Sequence, residues 1–120
     1  MDKKTLIEQS IQKHLANGGK LIRKGWGLTT EGVPGQNLYR WISTTKDNSC
    51  CGLSCVFIGE TYPLEEYSDL RNEVDKRFGS TWVMWFIDGF DGNWRPQTET
   101  ARDVYDFGAE MWRKYGWNAS

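Results

Sequence analysis

Histidine is almost missing from this chain: His14 is its sole representative. An imidazole beside Lys13, with no acidic orienter near it in sequence, reads as a solvated helix residue and leaves little basis for general acid–base catalysis. Cysteine is scarce too, and odd in number. Cys50 and Cys51 are adjacent, which disfavours a disulfide, and with Cys55 and a distant histidine they match no zinc-ligand spacing. Free, inert thiols in a reducing compartment are expected, with neither a metal nor an organic cofactor. Charge of one sign is also lacking, since 15 Lys plus Arg oppose 16 Asp plus Glu for a net charge of -1. That balance excludes a bulk field for duplex DNA or RNA, so any anionic ligand must be small and met by local cations. No apolar run reaches the length that spans a bilayer, and no signal-peptide pattern opens the chain. A soluble, cytoplasmic protein without a membrane partner is expected.

What the chain has in abundance is aromatic surface: seven Trp, five Tyr and five Phe in 120 residues. One domain over 1–120 suits this length, with ring surface supplying core and interface alike. Thr5 to Asn17 carries Leu6, Ile7, Ile11 and Leu15 at helical spacing and stops at Gly18 and Gly19, a first helix. Lys20 to Lys24 reads as a strand, Gly25 to Gln36 as a long ligand-facing loop, and Leu38 to Ser43 as a strand with bulky groups on both faces. A turn at 47–51 and a strand at 53–58 would complete a hairpin with it. Pro63 opens a second amphipathic helix through Leu64, Tyr67, Leu70, Val74 and Phe78, closed by Gly79. Thr81 to Ile87 reads as the strongest strand, with Trp82 and Trp85 as sheet core. A turn at 88–92, a short strand at 93–95, and a helix from Thr100 to Gly116 complete the count. The fold class is α+β: three helices, N-terminal, inserted and C-terminal, on a small antiparallel sheet.

Arg23, Lys24, Gly25 and Trp26 follow the first helix and set two cations, a glycine and an indole side by side. Phosphate and a flat base are the chemical groups such a run suits. Taken alone, Trp26 reads more simply as a half-buried anchor with solvated neighbours.

A second cluster joins it. Trp94, Arg95 and Pro96, then Asp106, Phe107, Gly108, Ala109, Glu110, Met111 and Trp112, resemble the closing pattern of a family of small phage proteins. Gly19, Lys20, Arg23, Lys24, Gly25 and Trp26 resemble that family's opening pattern. The family is the second type of Thoeris anti-defence protein. Its members resemble molecular sponges that bind cyclic ADP-ribose isomers made by bacterial TIR-domain defence proteins, and some also hold cyclic dinucleotides. The resemblance covers roughly residues 5–27 and 81–112. It departs at Gln97 and Thr98, where the family usually has Ser then Gln, and in the longer stretch from Trp94 to Asp106. Residues 61–80 look like a helical insertion.

Carried over by residue, the resemblance implies Trp26 and Trp94 as stacking platforms, Asp106 as an acceptor for ribose hydroxyls or a base amine, and a homotetramer with pockets between subunits. Arg23, Lys24 and Arg95 are assigned to the pyrophosphate on physical grounds, because buried phosphate charge demands cations. Gln97 and Thr98 are polar contacts. The plainer readings make Asp106 a surface carboxylate near a helix start, Asp103 a helix-start residue, and Trp112 core. Tyr39, Trp41 and Trp117 stay open between subunit and ligand contact. Reversible sequestration in an infected bacterial host is thus expected of the chain, with a cyclic-nucleotide-degrading enzyme or an aromatic-rich carbohydrate- or protein-binding module as alternatives.

Overall fold

A computed structural model describes residues 2–45 and 49–117. Helix α1, Lys3–Ala16, begins where the Asp2 carboxylate accepts the Thr5 N–H at 2.8 Å, satisfying a donor that the helix itself leaves open. Its buried face is Ile7, Ile11 and His14. His14 is therefore a core residue with 8% exposure, which corrects the solvated reading. Its burial depends on Gly19, where an added Cβ would lie 2.2 Å from the imidazole.

The expected strand at 20–24 is shorter: β1, Lys20–Leu21, pairs in parallel with β4, Ser49–Cys50, placing Leu21 opposite Cys50. Of the turn expected at 47–51, residues 47 and 48 lie outside the described residues. The stretch read as a loop contains β2, Leu28–Gly32, antiparallel to β3, Leu38–Ser43. On the other side of β3 runs β5, Thr61–Pro63, also antiparallel. As the central strand of this sheet, β3 buries Tyr39 and Trp41, which makes both core residues of the chain.

The strand expected at 53–58 is instead a single 3-10 turn at Ser54–Val56. Its backbone donors bond locally, Cys55 to the Cys51 carbonyl and Phe57 to the Ser54 carbonyl. Leu53, Cys55 and Phe57 thereby enter the core from a turn, and no ladder is needed to satisfy the chain. The hairpin expected with β3 does not form.

Helix α2, Leu70–Phe78, starts later than expected because Pro63 ends β5 and Leu64–Glu66 makes another 3-10 turn. The Asp69 carboxylate caps it by accepting the Asn72 N–H. Leu70, Val74 and Phe78 are buried, so the 61–80 segment contributes both a strand and a helix to the one core.

The largest departure is at 81–87, read as a strand. It belongs to helix α3, Ser80–Asp91. Val83, Phe86, Gly89 and Phe90 face inward at helical spacing, while Met84 is 49% exposed. Phe78, Trp82, Phe86 and Phe90 recur every four residues and stack as a ladder, each neighbouring pair 5.8 Å apart between centroids. Strong β-formers here yield to ring packing along a helix face. Trp82 and Trp85 consequently sit half-buried on a helix. The 93–95 segment forms no strand either: it connects Gly92, in the left-handed conformation at φ 77, to helix α4, Glu99–Tyr115. Among the described residues the architecture is α+β, with four α-helices, a three-stranded antiparallel sheet and a two-stranded parallel pair.

Candidate functional site

The end of α3 gathers much of what the sequence singled out. Arg23 donates its Nε–H to the Phe90 carbonyl at 2.7 Å and lays its guanidinium 4.4 Å from the Trp112 ring centre. A carbonyl near a helix C-terminus and an indole face are both favourable partners for a cation. Lys24 adopts φ 61, a conformation uncommon outside glycine. Its backbone N–H donates to the Asp91 carboxylate at 3.2 Å. Trp26 is half-buried against the core, and its carbonyl accepts the Ser54 hydroxyl and the Cys51 N–H. Together Lys24 and Trp26 line a cavity of about 220 Å³ floored by Phe86 and Phe90.

Three residues beyond Asp91 comes Trp94, 95% exposed and so unpacked against the described residues. Asn93 is anchored, its carbonyl accepting the Tyr105 hydroxyl. Arg95 makes a two-pronged ion pair with Asp106, Nε to Oδ1 at 3.0 Å and Nη2 to Oδ2 at 2.7 Å. The pairing holds the Asp106 carboxyl below its ordinary range, chiefly through the Arg95 hydrogen bonds. It commits two of the five guanidinium N–H donors. Gln97 offers Oε1 to Arg102 at 3.5 Å, and Thr98 is the N-cap position of α4 without a side-chain capping bond. Asp103 pairs with Lys4 at 2.8 Å across to α1.

The structure thus brings Arg23, Lys24 and Trp26 to the α3 terminus that leads into Trp94. It joins Arg95 to Asp106 separately, along α4. Asp106 lines a different cavity, of about 400 Å³, between α1 and α4.

A constellation that sequence reasoning dismissed lies on the other side. His14 Nε2 is 3.3 Å from Cys50 Sγ, which is 2.9 Å from Cys55 Sγ. The parallel β1–β4 pairing carries Cys50 under the last turn of α1, and the 3-10 turn brings Cys55 back to it. Cys50 is the thiol that ionises first: the Cys55 hydrogen bond and then His14 pull it down to about 6 against the opposing effect of burial. Burial and the Cys50 sulfur push Cys55 well up, and burial lifts Cys51 to about 11. The one hint in the sequence was Gly19, whose missing side chain admits the imidazole. Spacing along the chain could not reveal contacts across 36 residues.

Comparison with family models, curated proteins and solved structures returns no match for this chain. Among the described residues no helix is long and apolar enough to cross a membrane.

Proposed function

We propose that the protein binds and sequesters a cyclic ADP-ribose-type signal of bacterial TIR-domain immunity, and releases it unchanged. The observation that carries this reading is Trp94: a tryptophan 95% exposed, on a segment anchored at both ends, within three residues of the α3 terminus that holds Arg23 and Lys24. An indole left in water is an unsatisfied stacking surface, and stacking a base on one is worth about 1–3 kcal/mol. Arg23 and Arg95 each keep N–H donors for a pyrophosphate after making their protein contacts. The ligand pocket is completed by further copies of the chain in a homotetramer, because a ring so exposed on one protomer covers only one face of a nucleotide. The protein works in the cytoplasm of an infected bacterium, and a cyclic dinucleotide is a second ligand class for the same chemistry.

Sequestration and degradation differ in what comes back. Protein loaded with the cyclic nucleotide, washed and then heat-denatured should return intact ligand to solution; a cleaved product overturns the reading. Trp94→Ala should weaken binding roughly 5- to 150-fold, the equivalent of one lost stacking contact. It should leave the melting temperature unchanged. Undiminished affinity in that variant removes Trp94 from the site.

A further inference from the structure

His14, Cys50 and Cys55 come from three separate elements, α1, β4 and the 3-10 turn, yet their donor atoms all lie within 4.8 Å of one another. All three residues are buried, with exposures of 8%, 0% and 7%. One imidazole and two sulfurs around a common point are a borderline-soft donor set, the kind that selects zinc over magnesium or calcium. A tetrahedral zinc centre with bonds of about 2.3 Å to sulfur and about 2.0–2.1 Å to nitrogen sets neighbouring ligand atoms about 3.6–3.8 Å apart. The His14 to Cys50 separation of 3.3 Å is close to that, and the 2.9 Å between sulfurs needs only a small opening of the two side chains. Gly19 leaves the space that the ring occupies, since any Cβ there would collide with it.

Charge also favours an ion. Two thiolates and a neutral imidazole around a divalent cation sum to zero, so a bound ion compensates the charge that deprotonating the buried thiols creates. A fourth ligand can come from a cavity of about 390 Å³ lined by His14, Cys55, Lys13, Asn17, Trp41 and Ser43. Sites with three protein ligands and one open position are those in which zinc meets solvent or an exogenous ligand.

We infer that His14 Nε2, Cys50 Sγ and Cys55 Sγ bind one zinc ion whose fourth coordination position opens into this cavity, holding water that a small anion drawn by Lys13 can replace. On binding, each coordinated thiol gives up its proton to solvent, and the imidazole, whose Nε2 lies 3.2 Å from the Lys20 carbonyl, leaves that contact and carries its proton on Nδ1 so that the Nε2 lone pair meets the metal. No electrons are exchanged. A disulfide between Cys50 and Cys55 would use only two of the three donor atoms that lie within 4.8 Å of one another, whereas a metal uses all three. The site is independent of the nucleotide reading, which uses other residues.

Cobalt is the direct probe. Full-length protein, reduced and stripped with a chelator, is titrated with Co²⁺ and then with Zn²⁺ against a colorimetric indicator. One ion per chain is expected, with thiolate-to-cobalt charge transfer in the near ultraviolet and intense tetrahedral bands in the visible, both bleached by Zn²⁺. Cys50→Ser, Cys55→Ser and His14→Ala should each weaken binding by more than the roughly 10–100-fold typical of outer-shell changes. Cys51→Ser should bind like the unmutated chain. Azide should shift the visible bands by entering the fourth position, and unchanged bands overturn the open coordination. The whole site is overturned if the unmutated protein shows no charge transfer, or if Cys51→Ser loses cobalt as the others do. Should a variant fail to fold by circular dichroism, the charge-transfer intensity of the unmutated protein still counts the thiolates, two being expected. A Cys50–Cys55 disulfide that forms as fast with zinc as without it also overturns the site.

Discussion

The hydroxyl of Tyr62 sits between opposite charges: it donates to Glu60 Oε1 at 2.5 Å and accepts from Arg77 Nη2 at 3.2 Å. Arg77 closes the triangle on Glu60 Oε2 at 3.0 Å and rests its guanidinium 4.5 Å from the Phe57 ring centre. Burial first, and then the Glu60 carboxylate, push the Tyr62 phenol up to about 12 from an ordinary value of 10.0. The sign follows from proton linkage: the folded state holds this proton more tightly than the unfolded chain does. The stabilisation is complete below pH 10 and is lost as pH rises from about 10 to about 12. An ultraviolet titration of phenolate absorbance should therefore show one tyrosine ionising near 12, and Tyr62→Phe should remove that step. Glu60→Gln should move it towards ordinary pH. A profile unaffected by either change would mean that Tyr62 lies in water. The same scale accounts for Arg95 and Asp106. Their types and order were readable, but that they bind each other, and so divide their donors between ion pair and ligand, depends on a turn that places them side by side.

Helices α3 and α4 make the most extensive contact between elements, and two glycines permit it. A Cβ on Gly89 would fall 1.9 Å from the Tyr105 carbonyl oxygen, and one on Gly108 would fall 2.3 Å from the Phe86 carbonyl oxygen. In both cases the obstacle is backbone, which cannot swing aside as a side chain can. Glycine inside a helix costs about 0.5–1 kcal/mol relative to alanine, so its presence there signals close approach. Gly89→Ala and Gly108→Ala should each destabilise by about 3 kcal/mol through overpacking, measured as a lower urea midpoint at unchanged slope. Gly32→Ala, where an added Cβ meets nothing, should change stability by less than about 0.5 kcal/mol. Equal effects at all three positions would refute this crossing. These elements also show why α3 was misread. In a window of seven residues, Thr81 to Ile87 looks like a two-sided strand, because nearly every side chain is a β-former. The four-residue recurrence of Phe78, Trp82, Phe86 and Phe90 becomes visible only across Gly79 and Gly89, residues that punctuate a sequence reading but here sit at a helix start and a helix contact.

Over the whole molecule, one core takes residues from α1, both sheets, the 3-10 turn and the remaining helices. Leu64, Tyr67, Met84, Trp94 and Trp117 remain substantially exposed, although Trp117 lies 3.6 Å beneath the Lys20 ammonium. If the chain works as the proposed homotetramer with ligand at subunit boundaries, sedimentation equilibrium should give a single tetrameric species for both the unmutated protein and Trp94→Ala. Loss of assembly in the variant would make Trp94 an interface anchor and not a stacking platform. Sequence alone determined the α+β class, the bounds of α1 and α4 to within a few residues, the buried stripe of α2 and the β3 strand, because each rests on periodicity and termination signals local to the chain. It also singled out Trp94, whose exposure needed coordinates. Only the tertiary structure decided that Thr81 to Ile87 is helical, that Tyr39 and Trp41 are core, and that His14, Cys50 and Cys55 meet. The reason is the same in each case: the glycine contacts between the α3 and α4 backbones, the pairing of β3 between β2 and β5, and the His14–Cys50 contact across 36 residues are non-local, and their free energy outweighs local propensity.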